Sequence, residues 1–437
     1  MKRLGKVLQA GALFVALGFV GGTALAEEVP EGTVLNASNI SKLLKDGTFN
    51  GTPIKDMLTE RMPDMIKTYS MTYPLGKPLE MRFDKGWIAE TERNKGALKY
   101  DASAKDVLGT DCNCIEEWKG GMPFSDIKLD DPNGGDKFIW NIYLGEPSGN
   151  ITYYNKFGFI WMNNKGVERI QHWQWLRWYS SGRFDGLSIP RGGIRYKTII
   201  NARFPKDVKG TGVYFVRYDQ NGKYDDTYAY IRSVRRVRRL SGGAWMDPIG
   251  GSDWLNSDAE NINVHPSWYK SYKLLKRQPI IQVLHSNALG SWKLNQSGTK
   301  FEHFPYFALA NTPPWDFTTG IPGMDLYAPY DSYVVEAVTY DDHPYSRMKW
   351  YAPVAFPRAQ FVEAYDRKGQ WWKFSDYHLG NIPGEDGEYV MSSIIGHFCD
   401  VQNLHCTGFY MNEGIRFNPI GVTENDISVA RLEKGGD

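Results

Sequence analysis

The chain has 437 residues, with 51 Lys and Arg against 50 Asp and Glu and a formal net charge of +1. That balance gives no broad positive field, which sets nucleic acid aside as a partner. Beyond the first residues there is no long uninterrupted apolar run, so no later segment is expected to span a membrane as a helix.

The N-terminus sets the compartment. Lys2, Arg3 and Lys6 form a positive region, Val7 to Val20 is apolar apart from Gln9 and a few glycines, and Ala24-Leu25-Ala26 is a small-x-small cleavage site. This pattern predicts a secretory signal peptide over residues 1–26, cut after Ala26, with release into the periplasm of a Gram-negative-type envelope. The rival, an uncleaved anchor, is weaker because the apolar stretch is short for a bilayer core of about 30 Å. No cysteine stands at the cleavage site to take a lipid.

Residues 27–437 read as a single elaborated domain, with no internal repeat, heptad array or low-complexity linker: an N-terminal helical cap region over 27–105, then a β meander with long loops over 106–437. In the cap, Met57, Leu58, Met62, Met65, Ile66 and Tyr69 recur at helical spacing, and Pro63 predicts a kink or two short helices. The stripe most simply packs on a sheet; a methionine-rich surface for an apolar ligand is the less favoured alternative.

From about Phe138 the pattern turns to β. Val167 to Trp178 reads as a strand after a turn at residues 164–166. Ile194, Tyr196, Thr198, Ile200, Ala202 and Phe204 alternate with a more polar set, giving period two. Val213 to Tyr218 and Thr227 to Arg239 flank Asn221-Gly222, a hairpin signal. Tyr333 to Tyr340 with Arg347 to Tyr351, and Phe361 to Tyr365 with Trp371 to Tyr377, form further pairs. The fold class is therefore mainly β: one large antiparallel meander or partial barrel. Loop-rich stretches at Gly242–Pro266 and Asn311–Pro329 are expected to lie over the sheet or its rim.

The cysteines form two close pairs, Cys112 with Cys114 and Cys399 with Cys406. An oxidising compartment makes disulfides the default. Cys399–Cys406 would close a short loop, Cys112–Cys114 a very tight ring, and cross-pairing stays open. His397 and His405 raise a zinc alternative, but the spacing matches no zinc signature, and neither metal nor cofactor is expected. No Gly-x-Ser-x-Gly elbow, His-Glu-x-x-His helix, phosphate loop or haem motif is present. The acidic pairs Glu116-Glu117, Asp130-Asp131, Asp225-Asp226 and Asp341-Asp342 look like turn residues, and residues 131–136 lack the acidic spacing of a calcium loop. No enzyme activity is expected.

Aromatic residues make up 14% of the chain. Trp173 and Trp175 share one strand face and Trp178 takes the other. Wide rings suit the inside of a curved sheet, where they can line an apolar cavity; plain sheet packing and sugar stacking use the same residues. Candidate lining residues are Trp140, Trp161, Trp173, Trp175, Tyr196, Phe215, Tyr333, Trp350 and Trp371. Arg235, Arg236, Arg238 and Arg239 form a basic run that could grip an anionic head group or an acidic partner, or serve as a solvated, salt-bridged strand.

Several separated motifs carry a family resemblance. Trp118-Lys119-Gly120-Gly121-Met122-Pro123-Phe124, Asp131-Pro132 and Trp140-Asn141 resemble the N-terminal signature of a domain-of-unknown-function family whose members are described as outer-membrane lipoprotein-sorting proteins, similar to LolA and LolB. Val234 to Arg239, Asp253, Asp258 and Trp268 to Leu275 resemble its central part. Tyr333 to Ala337, Arg347 to Tyr351 and Ala364 to Trp372 resemble its C-terminal strands. The resemblance implies a strongly curved, half-open antiparallel barrel with helices as a lid over an apolar groove. It further implies a periplasmic carrier for a lipid or other hydrophobic molecule, working between an inner-membrane exporter of the resistance-nodulation-division type and an outer-membrane barrel protein. It carries no catalytic residues. The alternatives are an enzyme on envelope glycan or lipid, with two converging carboxylates, and an accessory protein of an outer-membrane barrel without cargo.

Overall fold

The computed structural model describes residues 27–109, 118–163, 165–189, 193–232, 234–286, 293–294, 301–303, 325–411 and 414–434. The signal sequence, Cys112, Cys114, Glu116-Glu117 and most of the loop expected at 311–329 lie outside the described residues.

Among the described residues one antiparallel sheet of 14 strands dominates. Its strands are β1 Ile151–Asn163, β2 Gly166–Tyr179, β3 Ile194–Phe204, β4 Gly212–Tyr218, β5 Asp226–Ile231, β6 Arg236–Arg239, β7 Ser271–Gln282, β8 Ala328–Val338, β9 Tyr345–Pro353, β10 Phe361–Asp366, β11 Trp371–Pro383, β12 Tyr389–Asp400, β13 His405–Met411 and β14 Ile415–Phe417. The spatial order is β6-β5-β4-β3-β2-β1-β13-β12-β11-β10-β9-β8-β7, with β14 added beside β1. Two sequential meanders, β1–β6 and β7–β13, are thus stitched together where β13 pairs with β1, Thr407 facing Trp161. The sheet is curved and not closed, as expected. Its two edges are blunted: β7 carries Pro279 and Arg277, and β6 carries arginines.

Turn chemistry places the hairpins. Gly222, at φ 73°, follows Asn221 between β4 and β5, and Gly369, at φ 78°, closes the turn between β10 and β11. Cys399 and Cys406 face each other across β12 and β13 and are joined by a disulfide, with their Cα atoms 4.0 Å apart.

Two expectations are corrected. Phe138 does not open the β region, because Gly134–Gly145 is a helix. Its residues Phe138, Ile139 and Ile142 form a buried helical stripe packed with Tyr272 and Leu274 of β7. The approach is close enough that a Cβ on Gly135 would sit 2.4 Å from the Tyr272 backbone. Nor is Thr227–Arg239 one strand: the chain turns through Arg232, Val234 and Arg235, with Arg235 at φ 49°, and folds back so that Ile231 pairs with Arg236. Within the charged run only Val237 packs against an apolar cluster, so the run supports a short edge strand and not one long strand across the sheet.

Both faces of the sheet are covered. On one face, residues 27–75 form a layer containing the helices Ile40–Asp46 and Met62–Tyr69 and a 3-10 turn over Ile54–Met57. The predicted break is present, with Pro63 in the first turn of the second helix. Met57, Met62, Met65 and Ile66 are buried against Val334, Tyr351, Phe361, Phe374 and Cys399. The C-terminal helix Val429–Glu433 covers the β1–β5 half of the same face, where Leu432 and Ile427 meet Trp178, Ile199 and Val216. The opposite face is covered by the helix over 134–145 and by the long connection between β6 and β7.

The N-terminal layer is pinned by one buried acid. Glu363 on β10 accepts hydrogen bonds from the Arg61 amide (2.8 Å), at the start of the helix Met62–Tyr69, and from the Tyr351 hydroxyl (3.0 Å). Burial pushes its carboxyl up to about 7. Glu363→Ala strands both donors, and the expected cost is about 2–3 kcal/mol. Denaturant titration measures it, with early proteolysis expected within 54–71; a loss below about 0.5 kcal/mol, the scale of a neutral surface change, would contradict this role.

Candidate ligand-binding cavity

The connection between β6 and β7 builds the site. Trp254 anchors it, its ring centroid 5.3 Å from that of Phe159 and 5.9 Å from that of Phe409, with Tyr377 and Phe398 just beyond. Asp258 accepts from the Leu255 amide (2.9 Å) and the Tyr345 hydroxyl (2.8 Å). Asn261 donates to the Ala359 and Gln360 carbonyls (2.8 and 2.9 Å) and accepts from Ser375 (2.8 Å). Glu260 and Asn261 take φ of 55° and 71°, conformations that cost a residue with a side chain about 1–2 kcal/mol each. The bonds these two side chains make offset that strain.

Beneath this strap lies a cavity of about 430 Å³. Phe157, Phe159, Trp173, Trp175, Ile200, Val213 and Phe215 wall it on β1–β4; Trp245, Pro248, Ile249 and Trp254 roof it; Tyr377, Phe409 and Met411 lie across from β4. Its volume falls in the range of about 300–1,000 Å³ typical of small-molecule sites. Polar lining groups include Arg217, Asp225, Glu260, Asn263 and Ser393. Arg217 holds Asp225 by a two-pronged pair at 2.5 and 2.9 Å. Arg177 on β2 binds Glu260 at 2.8 Å, while Arg358, between β9 and β10, binds Glu146 at 3.1 Å and approaches Glu260 at 3.9 Å. Burial alone would push the Glu260 carboxyl up, but the guanidiniums of Arg177 and Arg358 outweigh it and hold the group below the usual range. Burial pushes Glu146 up to about 7, against the pull of Arg358. Each acid that lines the cavity beside an arginine is thus charge-paired by the protein itself.

Of the nine aromatic residues singled out from sequence, Trp173, Trp175 and Phe215 line the cavity. Tyr196 stands behind Phe215 and donates to Asn263 at 3.0 Å. Trp161 supports the strap, donating to the Gly251 carbonyl at 3.1 Å under the Arg169 guanidinium. The other four are corrected. Trp140 packs in a separate cluster with Trp118 and Tyr143, Tyr333 bonds the Ile127 backbone, and Trp350 stacks on Tyr269. Trp371 lies on the opposite face, beside Tyr69 and Arg61. The lid is corrected too: the N-terminal helices cover the face away from the cavity, and the strap roofs it. Of the acidic pairs, Asp225 reaches the cavity, whereas its neighbour Asp226 pairs with Arg239 at the sheet edge. Arg235, Arg236, Arg238 and Arg239 are all exposed, away from the lining. His405 bonds Asp253 at 2.6 Å, and no group of three or more metal-ligating side chains occurs among the described residues. Sequence reasoning missed Arg177, Glu260, Asn261 and Arg358. Asn261 lay in a stretch already marked as overlying the sheet, but a polar residue in a loop gives no sign of burial.

Asp258 supplies a pH test. Burial pushes its carboxyl up to about 7, so the folded chain keeps a proton that the unfolded chain releases near pH 4. Its contribution to stability is fully present below about pH 4 and is lost as pH rises through about 7. Asp258→Asn removes that dependence, so the melting temperature of the variant relative to the parent should climb between pH 5 and pH 8. A difference that stays flat with pH would contradict it.

Solved structures show similarity to the chain, among them the following three. A domain described as an outer membrane lipoprotein-sorting protein, from Vibrio parahaemolyticus, is 17% identical, covers 66% of this chain and 93% of its own, and superposes with a TM-score of 0.44. A DUF1329 family protein from Desulfovibrio piger is 15% identical, covers 65% and 92%, and gives 0.43. A LolA superfamily protein from Nitrosomonas europaea is 13% identical, covers 64% and 91%, and gives 0.37. No protein with a curated description matches in sequence. Residues 34–426 match the pattern of one family over nearly the whole described chain, and the protein belongs to that family, the proteins of unknown function DUF1329.

Proposed function

We propose that this chain is a periplasmic carrier for a lipid or another hydrophobic molecule, moving its cargo from an inner-membrane exporter of the resistance-nodulation-division type to the outer membrane and its barrel proteins. The observation that carries this reading is the aromatic cavity of about 430 Å³ under the strap. Each methylene of an acyl chain moved from water into such a lining gains about 0.8 kcal/mol, so a chain of about ten methylenes is worth about 8 kcal/mol. Such a molecule crosses an aqueous compartment only when sheltered.

Release requires the roof to move. The roofing residues Trp245, Pro248 and Ile249 lie between Gly242-Gly243 and Gly250-Gly251, and Gly250 and Gly251 take φ of 56° and 74°. Glycine pairs at both ends let this segment swing while the ion pair of Glu260 keeps the rest of the strap in place. A partner that favours the open segment lowers cargo affinity and triggers transfer. No covalent step is needed.

Protein purified from the cell envelope should release a lipid on denaturation in mass spectrometry and should bind a fluorescent fatty-acid analogue. Ile200→Trp and Val213→Trp place bulk in the cavity; each is expected to weaken analogue binding about tenfold or more while the folded circular-dichroism spectrum is kept. Protein that is always empty and never binds the analogue overturns the proposal. So does binding that both tryptophan variants leave intact.

A further inference from the structure

Two turns lie side by side at one end of the sheet. The first joins β3 to β4 over residues 205–211; the second, with Arg232, Val234 and Arg235, joins β5 to β6. Arg232 links them, its guanidinium donating to the Lys209 carbonyl at 2.8 Å. Lys206, Lys209, Arg232, Arg235, Arg236 and Arg238 are exposed on and beside these turns. The acids nearby are fewer: Asp207 and Glu433 are exposed, the latter next to Leu432, which packs against Gly212 just after the first turn, while Asp226, at the far end of β5, is taken up by Arg239 and by the Tyr218 hydroxyl, 2.6 Å away. No carboxylate pairs with Arg235, Arg236 or Arg238 among the described residues.

The same turns expose apolar side chains. Phe204 is 51% exposed, Val234 49% and Ile231 37%. An exposed leucine or phenylalanine alone means little. Here three stand at or next to turn tips, ringed by cations. That combination suits an interface with anionic lipid, where apolar tips enter the headgroup boundary and lysine and arginine meet phosphate. A flat acidic protein surface would use the cations but leave the protruding apolar tips unburied. The position also has a purpose: Thr211, at the end of the first turn, lines the cavity.

We infer that these paired turns dock the protein on an anionic membrane surface and bring one end of the cavity to the bilayer. This goes beyond the carrier reading and stands on different residues.

The test is sedimentation of the purified protein with vesicles of phosphatidylglycerol and phosphatidylcholine in equal parts, against vesicles of phosphatidylcholine alone. The parent should pellet with the anionic vesicles, lose binding as salt is raised, and stay in solution with the neutral ones. Arg235→Ser, Arg236→Ser and Arg238→Ser combined should weaken binding on the order of 100-fold. Phe204→Ser with Val234→Ser should weaken it about tenfold or more at high salt, where the apolar part dominates. The circular-dichroism spectrum and melting temperature report that each variant remains folded, independently of any cargo. Failure to pellet with anionic vesicles at low salt overturns the inference. So does pelleting that the arginine variant leaves unchanged, including the case where that variant instead loses an acidic protein partner. Protein that pellets as expected but binds no fatty-acid analogue would sink the carrier proposal and leave this one standing.

Discussion

The ion pair between Arg177 and Glu260 is the constraint on which the interior depends. Arg177 belongs to the first meander and Arg358, on the other side of the same carboxylate, to the second, so one acid in a strained loop conformation bridges both halves of the sheet from inside. Breaking a buried pair by removing one partner costs about 3–5 kcal/mol, because the other charge is left without compensation. The cost fixes the strap at one height above the sheet. Close packing would otherwise draw it down and fill the space with its own side chains. That ion pair, together with the Asn261 bonds and the Trp254 rings, fixes where the strap crosses above the cavity.

The second constraint is that both faces of the sheet are occupied. Strands β12 and β13 are buried along almost their entire length, with the N-terminal layer on one side and the strap on the other. The apolar stripe of Met57, Met62, Met65 and Ile66 and the ring cluster around Trp254 therefore compete for nothing; they use alternate residues of the same strands. Tyr351 points to the first and Trp350 to the second. Methionine suits the outer layer because a flexible thioether fits the uneven surface left by a twisted sheet.

This double burial explains what was legible in the sequence and what was not. Strands with one solvated stretch, such as β3 with its alternation from Ile194 to Phe204, announce themselves by period two. Strands buried on both faces do not: Tyr389–Asp400 reads YVMSSIIGHFCD, with small and apolar residues on both sides and no alternation, and it was not anticipated. The helix over 134–145 was hidden for a related reason, since ten of its residues are buried and no polar face marks the period. Among the candidate rings, Trp173 and Trp175 share one face, as period two requires, yet sequence does not tell the wall of a cavity from ordinary packing. Trp350 and Trp371 sit in strands of similar pattern and meet partners from distant segments instead, Tyr269 and the helical Tyr69. The residues that set the spacing, Arg177 and Glu260, are 83 positions apart and become informative only once the strap is seen to cross the sheet.

The seam between the meanders bears on how such a chain is assembled. β1 finds its neighbour β13 only near the C-terminus, with Phe159 facing Phe409 and Met162 facing Cys406. A chain made from its N-terminus holds the first six strands with an open, aromatic-rich border until the last ones arrive. Contacts so distant in sequence form slowly, and an unpaired border of this kind invites self-association. The architecture thus places its most adhesive edge under the longest wait.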